Sequence, residues 1–136
     1  MDRTLIIYPA FAVVILTFIT MIKMRLLSEK HLKSGELKFK YFKVYDGSVP
    51  EDLEQARQHY KNYFEIPVLF YLLLIFIYAT DNVNQYDVIL AWLFVFFKSI
   101  HSYIRMTNNY VPHRAKAFII TLIVLLCGWI NFIVSL

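Results

Sequence analysis

Glycine and proline are scarce. Three Gly and four Pro in 136 residues leave little material for long irregular loops. Cysteine is nearly absent: Cys127 stands alone, which excludes an internal disulfide. Without a C-x-x-C partner or a nearby histidine, it reads as a small buried apolar side chain rather than a nucleophile. No second His or Cys sits at ligand spacing, so metal binding is not expected. The chain also lacks internal repeats and low-complexity segments. The first apolar run is too long for a signal-peptide core and no A-x-A-like cleavage site follows it, so it reads as an uncleaved anchor. Acidic residues are the minority, 10 against 14 basic ones, for a net charge of +4. In a soluble protein that balance would suggest nucleic acid. Here the basic residues sit between apolar runs, the positive-inside pattern, and nucleic acid is not an expected partner.

What the chain has in excess is apolar surface. Hydrophobic residues make up 59% and the mean hydropathy is +0.52, more than a soluble domain of this length buries. The length fits one domain. About 20 mostly apolar residues, at ~1.5 Å rise each, cross the ~30 Å hydrocarbon layer. Leu5 to Met24 and Ala117 to Leu136 meet this directly. Ile66 to Ala79 is apolar but short, so its helix is expected to continue back through Asn62, Tyr63, Phe64 and Glu65. Val88 to Ile104 is interrupted by Lys98, Ser99 and His101. The fold expected is an all-α integral membrane bundle of four transmembrane helices.

Several boundaries can be read. Ser48-Val49-Pro50-Glu51 has the form of an S-x-x-E capping box, so the second helix is expected to begin near Val49 with a polar first half. Asp81 to Asp87 is a tight polar connection, and Asn108 to Pro112 breaks the chain before the fourth helix. Ser28 to Tyr45 is the one sizeable loop. Lysine and arginine concentrate on the first and third connections, while Arg3 alone is left for the opposite side. Both termini are therefore expected to face away from the cytoplasm.

Some polar residues lie where hydrocarbon is expected, at a cost of about 2.5–3.5 kcal/mol each for charged groups on insertion scales. Gln58, Lys61, Asn62 and Glu65 follow i, i+3, i+4, i+7 spacing, which is one helical face. Lys98, His101 and Arg105 do the same on the third helix, and Arg114 opens the fourth near the same surface. Two such stripes at one depth suggest a shared polar pocket. Snorkelling to the headgroups accounts equally well for Arg105 or Arg114 taken alone, also for Lys61, and better for Lys116. Glu65 has no lipid phosphate to pair with, although Lys61 stands one turn back. The aromatic run Trp92, Phe94, Phe96 and Phe97 reads as lipid-facing or packing surface. A tripeptide such as glutathione, with two carboxylates, an ammonium and a thiol, would complement such a pocket; other anions would fit it as well.

The segment Asn62-Tyr63-Phe64-Glu65-Ile66-Pro67 is similar to the N-x-x-E-x-P segment of the membrane-associated proteins in eicosanoid and glutathione metabolism, the MAPEG family. Lys98-Ser99-Ile100-His101-Ser102 resembles that family's R-x-x-H-S segment, and Pro112-His113-Arg114 its P-x-R turn. The resemblance covers Glu51 to Leu136 and is nearest to small bacterial members. It implies a homotrimer in a membrane, the bacterial cytoplasmic membrane by that likeness, with glutathione bound between protomers. Asn62 and Glu65 would hold its backbone and ammonium, with His101 nearby. Arg114 would take the place of the thiolate-stabilising arginine, and a further cation would come from the first helix exit, around Arg25 to Lys33. Three positions depart from the family pattern: Gln58 and Lys98 stand where arginines are expected, and Arg105 where several enzymes have tyrosine. The function implied is a glutathione-dependent transferase or peroxidase acting on lipophilic electrophiles by thiolate attack. The alternatives are a non-catalytic protein binding an anionic lipid or small anion in the same pocket, and a structural protein whose ionisable groups only hold helices together.

Overall fold

In the computed structural model of residues 1–136 the chain is wholly helical, and four of its helical segments are long and apolar enough to cross a membrane. Helix α1 (Ile7–Ser34) follows a short 3-10 turn, Arg3–Ile6. Then come α2 (Glu51–Asn62), α3 (Ile66–Ala79), α4 (Gln85–Met106) and α5 (Val111–Ser135). The second span is made of α2 and α3 in series.

That second span is not one continuous helix, contrary to expectation. Regular bonding lapses after Asn62. Phe64 and Glu65 donate to the carbonyls three residues back, Lys61 and Asn62, and Glu65 leaves the helical region at φ −107, ψ −100. The cause is Pro67, which has no N–H to donate and whose ring would crowd the carbonyl four residues back. Proline is tolerated in the first turn of a new helix, where it sits in α3. The expected capping box at Ser48 also fails to form. Pro50 occupies the N-cap of α2 and no side chain caps the helix. A box does form at α4, where Asn84 accepts from the Asp87 amide and Asp87 accepts from that of Asn84. Asn131 of α5 donates to Asp87 at 2.7 Å, tying that buried carboxylate to the bundle.

The loop expected from Ser28 is shorter than it reads. Helix α1 runs on to Ser34, because Ser28 returns its hydroxyl to the Met24 carbonyl and Gly35 takes the left-handed turn (φ 80) that ends it. The remaining connection carries its own 3-10 turn, Phe39–Lys43. Its Tyr41 and Leu37 pack with Leu53 against Met24, Leu27 and Leu32. His31 stands between two carboxylates, Glu36 at 2.5 Å and Asp52 at 2.8 Å, and so joins the end of α1 to the start of α2.

The main core lies among α1, α3, α4 and α5. Phe70 of α3 stacks on Phe94 of α4 with centroids 4.1 Å apart, while Trp92 and Phe96 face outward. The aromatic run thus divides between packing and outer surface. Helix α5 buries Ala117, Thr121, Leu125, Gly128 and Phe132, one stripe of helical period. Gly128 lets α3 come close, for a Cβ there would lie 2.9 Å from Leu73 Cδ2. Cys127 is exposed rather than buried, because it lies two residues, about 200°, from Leu125 on the helix. In a membrane that outer face meets lipid or a neighbouring chain.

Candidate functional site

The two charged stripes occupy different environments in the fold. That of α4 points inward: Lys98 and His101 are buried and Arg105 is half-buried. On α2 the inward face consists of Ala56, His59 and Tyr63, so Gln58, Lys61 and Glu65 lie exposed and Asn62 is half-buried. Gln58 gives its amide to Glu54 at 3.2 Å. Lys61 and Glu65 do not form an ion pair with each other or with any other residue. The pocket expected between the stripes is not closed within the chain; the α2 stripe forms part of its outer surface.

The inner side has a connected structure that the sequence did not announce. His59 Nε2 lies 3.1 Å from Ser102 Oγ, and Tyr63 Oη is hydrogen-bonded to the same hydroxyl. The three groups form one chain when Tyr63 donates to Ser102 and Ser102 donates to His59 Nε2. The rings of His59 and His101 are 6.2 Å apart, and His101 also lies against Phe118 of α5 at 5.7 Å. The Lys98 ammonium sits 4.4 Å above the Tyr63 ring, an attractive cation–π arrangement. The inward period of Ala56, His59 and Tyr63 was the available signal for this network. It interleaves with the charged stripe, whose residues are more conspicuous in the sequence.

Two more cations close this end of the bundle. Lys23 of α1 donates to the Met106 carbonyl at the end of α4, at 2.5 Å. Lys23 lies just before the stretch from Arg25 to Lys33 in which a first-helix cation was expected. Arg114, half-buried in the first turns of α5, donates to Asn109 Oδ1 at 2.8 Å. Asn109 can hold it because it adopts a left-handed conformation, φ 49, that asparagine tolerates. Lys23, Lys98, Arg105 and Arg114 thus gather near the α4–α5 turn, and no ion pair neutralises any of them. Two buried nitrogens lack partners, His101 Nδ1 and Arg105 Nε. Lys23 and Arg114 thus reach only neutral oxygens, and the cluster carries positive charge with no carboxylate in direct contact.

Residues 6–134 match the sequence profile of the MAPEG family. The chain belongs to the MAPEG family. That family includes glutathione-dependent transferases and peroxidases. Comparison with curated proteins and with solved structures gave no match. As a MAPEG protein with four spanning segments, the chain is an integral membrane protein, and its motif residues fall at the helix break of the second span (Asn62, Glu65, Pro67), on the inner face of α4 (Lys98, His101, Ser102) and at the start of α5 (Arg114). No group of His, Cys, Asp and Glu side chains in this MAPEG chain is arranged to hold a metal ion.

Proposed function

We propose that this MAPEG protein is a glutathione-dependent transferase or peroxidase whose second substrate is a lipophilic electrophile drawn from the bilayer. The observation that carries the reading is the unneutralised cationic cluster of Lys23, Lys98, Arg105 and Arg114, set beside orphaned nitrogens on His101 and Arg105. Lys98 is a buried charge with no carboxylate partner, which is costly, and a ligand bearing carboxylates removes that cost. Glutathione also carries an ammonium, and Glu65 and Asn62 stand on the adjoining outer face to receive it.

When bound, glutathione would supply a thiolate able to attack an electrophilic carbon or oxygen. The work of this chain is then binding and charge placement. Lys98 and Arg105 hold carboxylate, with Lys98 giving a single-point contact where an arginine would fork. His101 offers Nδ1. Arg114, fixed by Asn109, is the cation assigned to the thiol, where positive charge favours the ionised form. His59, Ser102 and Tyr63 touch no ligand in this assignment; they hold α2 against α4 and so position Lys98 and His101.

The exposed α2 stripe supports a homotrimer, in which a neighbour covers Gln58, Lys61 and Glu65 and completes the site. The lysine and arginine asymmetry supports termini outside the cytoplasm and the cationic cluster near its inner face. A non-catalytic anion-binding role is favoured by one observation: Gln58 is turned to Glu54 and does not reach the cluster. Thermal unfolding in detergent separates the two readings. Glutathione at about 100 times its dissociation constant should stabilise the protein by about 2.7 kcal/mol, and conjugation of a lipophilic electrophile should follow. Equal stabilisation by inorganic phosphate without conjugation supports the binding role. No stabilisation by either overturns both.

A further inference from the structure

The connection between α1 and α2 exposes two kinds of group together. Phe39 is 80% exposed and Val44 72%, though this stretch lies outside the four spans. Lys38, Lys40 and Lys43 stand beside them, exposed and outside every ion pair. Of the acidic side chains in the connection, Glu36 is taken up by His31, which leaves Asp46 against the three lysines. Aromatic surface next to unneutralised positive charge suits the boundary between headgroups and acyl chains.

The fold places the connection at that boundary. Helix α1 has 28 residues, or ~42 Å at ~1.5 Å each, and overshoots a hydrocarbon layer of ~30 Å. The connection folds back along the overshoot, since Tyr41 and Leu37 pack with Leu53 on Met24, Leu27 and Leu32. Met24 ends the apolar stretch of the first span. An open groove of about 820 Å³ runs along this seam. Met24, Leu32, Phe39 and Phe42 give it an apolar side; Arg25 and Lys33 give it positive charge. Its one carboxylate, Glu29, is paired with Arg25 at 3.1 Å.

Lys38 and Lys40, on either side of Phe39, line the adjoining hollow rather than the groove itself. We propose that the groove and these neighbouring lysines of the connection together bind an anionic phospholipid of the adjoining leaflet. The phosphate lies against Lys33 and the lysines of the connection, and an acyl chain lies along Met24, Leu32, Phe39 and Phe42. Charge complementarity selects this occupant. Attraction of each lysine to an anionic headgroup surface is worth about fivefold in affinity, so three lysines supply roughly a hundredfold, which salt screens.

The test uses the full chain in detergent, with dioleoylphosphatidylglycerol, dioleoylphosphatidylcholine of the same chain length, and glycerol phosphate as probes, read by native mass spectrometry. Phosphatidylglycerol should be retained about a hundredfold more strongly than phosphatidylcholine, and less so at high salt. The exposed triple variant Lys38→Gln/Lys40→Gln/Lys43→Gln should lose that preference. Phe39→Ser should weaken retention of both lipids and leave the preference intact. Circular dichroism checks that both variants keep their helices. Equal retention of the two lipids overturns the proposal, as does a triple variant that behaves like wild type. Full displacement by glycerol phosphate would mark a free-anion site instead. Zero-length cross-linking of the connection to a second copy, with no lipid retained, would mark a subunit interface.

Discussion

Replacing Lys98 by methionine should make the ligand-free protein more stable and the ligand-bound protein less so. Lys98 is 2% exposed and joins no ion pair. A lysine within a span costs about 2.5–3.5 kcal/mol on insertion scales. The Tyr63 ring beneath the ammonium returns about 2 kcal/mol at a desolvated site. The difference, about 1 kcal/mol against folding, disappears when an uncharged side chain of similar length fills the space. For a chain of this size that corresponds to a rise of roughly 3–5 °C in the unfolding midpoint. Glutathione binding should move the other way. A hydrogen bond to a charged partner is worth about 1.5–3 kcal/mol, so the dissociation constant should rise roughly 10- to 150-fold. Both quantities come from one titration of thermal unfolding in detergent, followed through Trp92 and Trp129. A variant that unfolds several degrees below wild type would show that the lysine is held by interactions stronger than the ring contact. A variant that binds glutathione as wild type does would remove Lys98 from the site.

Three further outcomes follow from the geometry. Gly128→Val should cost about 1–3 kcal/mol by overpacking against Leu73; Gly128→Ala should cost less, since a leucine methyl can shift and alanine favours helix by up to about 1 kcal/mol. Thermal unfolding of the two variants distinguishes them, and equal midpoints for Val and wild type would deny the close approach of α3 and α5. His31→Ala should release the link from α1 to Glu36 and Asp52, raising the rate of proteolysis between Gly35 and Pro50 while helix content stays constant; an unchanged cleavage rate would mean that the link is dispensable. Reporters fused at either end should be active only outside the cytoplasm, and a terminal reporter that works solely inside would reverse the assigned orientation.

The four spans were legible because their signal is a property of long windows, which single residues barely disturb. The polar α4 stripe was legible for a related reason, since its cost in hydrocarbon forces it inward whatever the neighbours are. The break at Tyr63–Glu65 was less visible because the polar stripe from Gln58 to Glu65 keeps helical period straight through it; only Pro67 marks the interruption. Ser48 carried the right pattern for a cap and failed because Pro50 occupies the cap itself. At Asn84 and Asp87 the same chemistry succeeded without having been singled out. The inward period of Ala56, His59 and Tyr63 marks a buried face but not its partner, because Ser102 is distant in sequence and a hydrogen bond across helices leaves no local trace. Lys23 reads as one more basic residue at a helix exit until the fold brings the Met106 carbonyl to it. Cys127 read as buried from its apolar surroundings, but the burial of a residue within a span depends on helix phase rather than on its neighbours in sequence.

The central claim is that the cationic cluster binds glutathione and that Arg114 favours its ionised thiol. The thiolate absorbs in the ultraviolet and can be titrated on the protein. Bound to wild-type protein, the thiol should ionise below its free value. In Arg114→Leu that shift should shrink while binding persists, and in Asn62→Ala binding should weaken with the shift retained. A wild-type protein that binds glutathione with an unshifted thiol would contradict the catalytic account and leave only an anion-binding one.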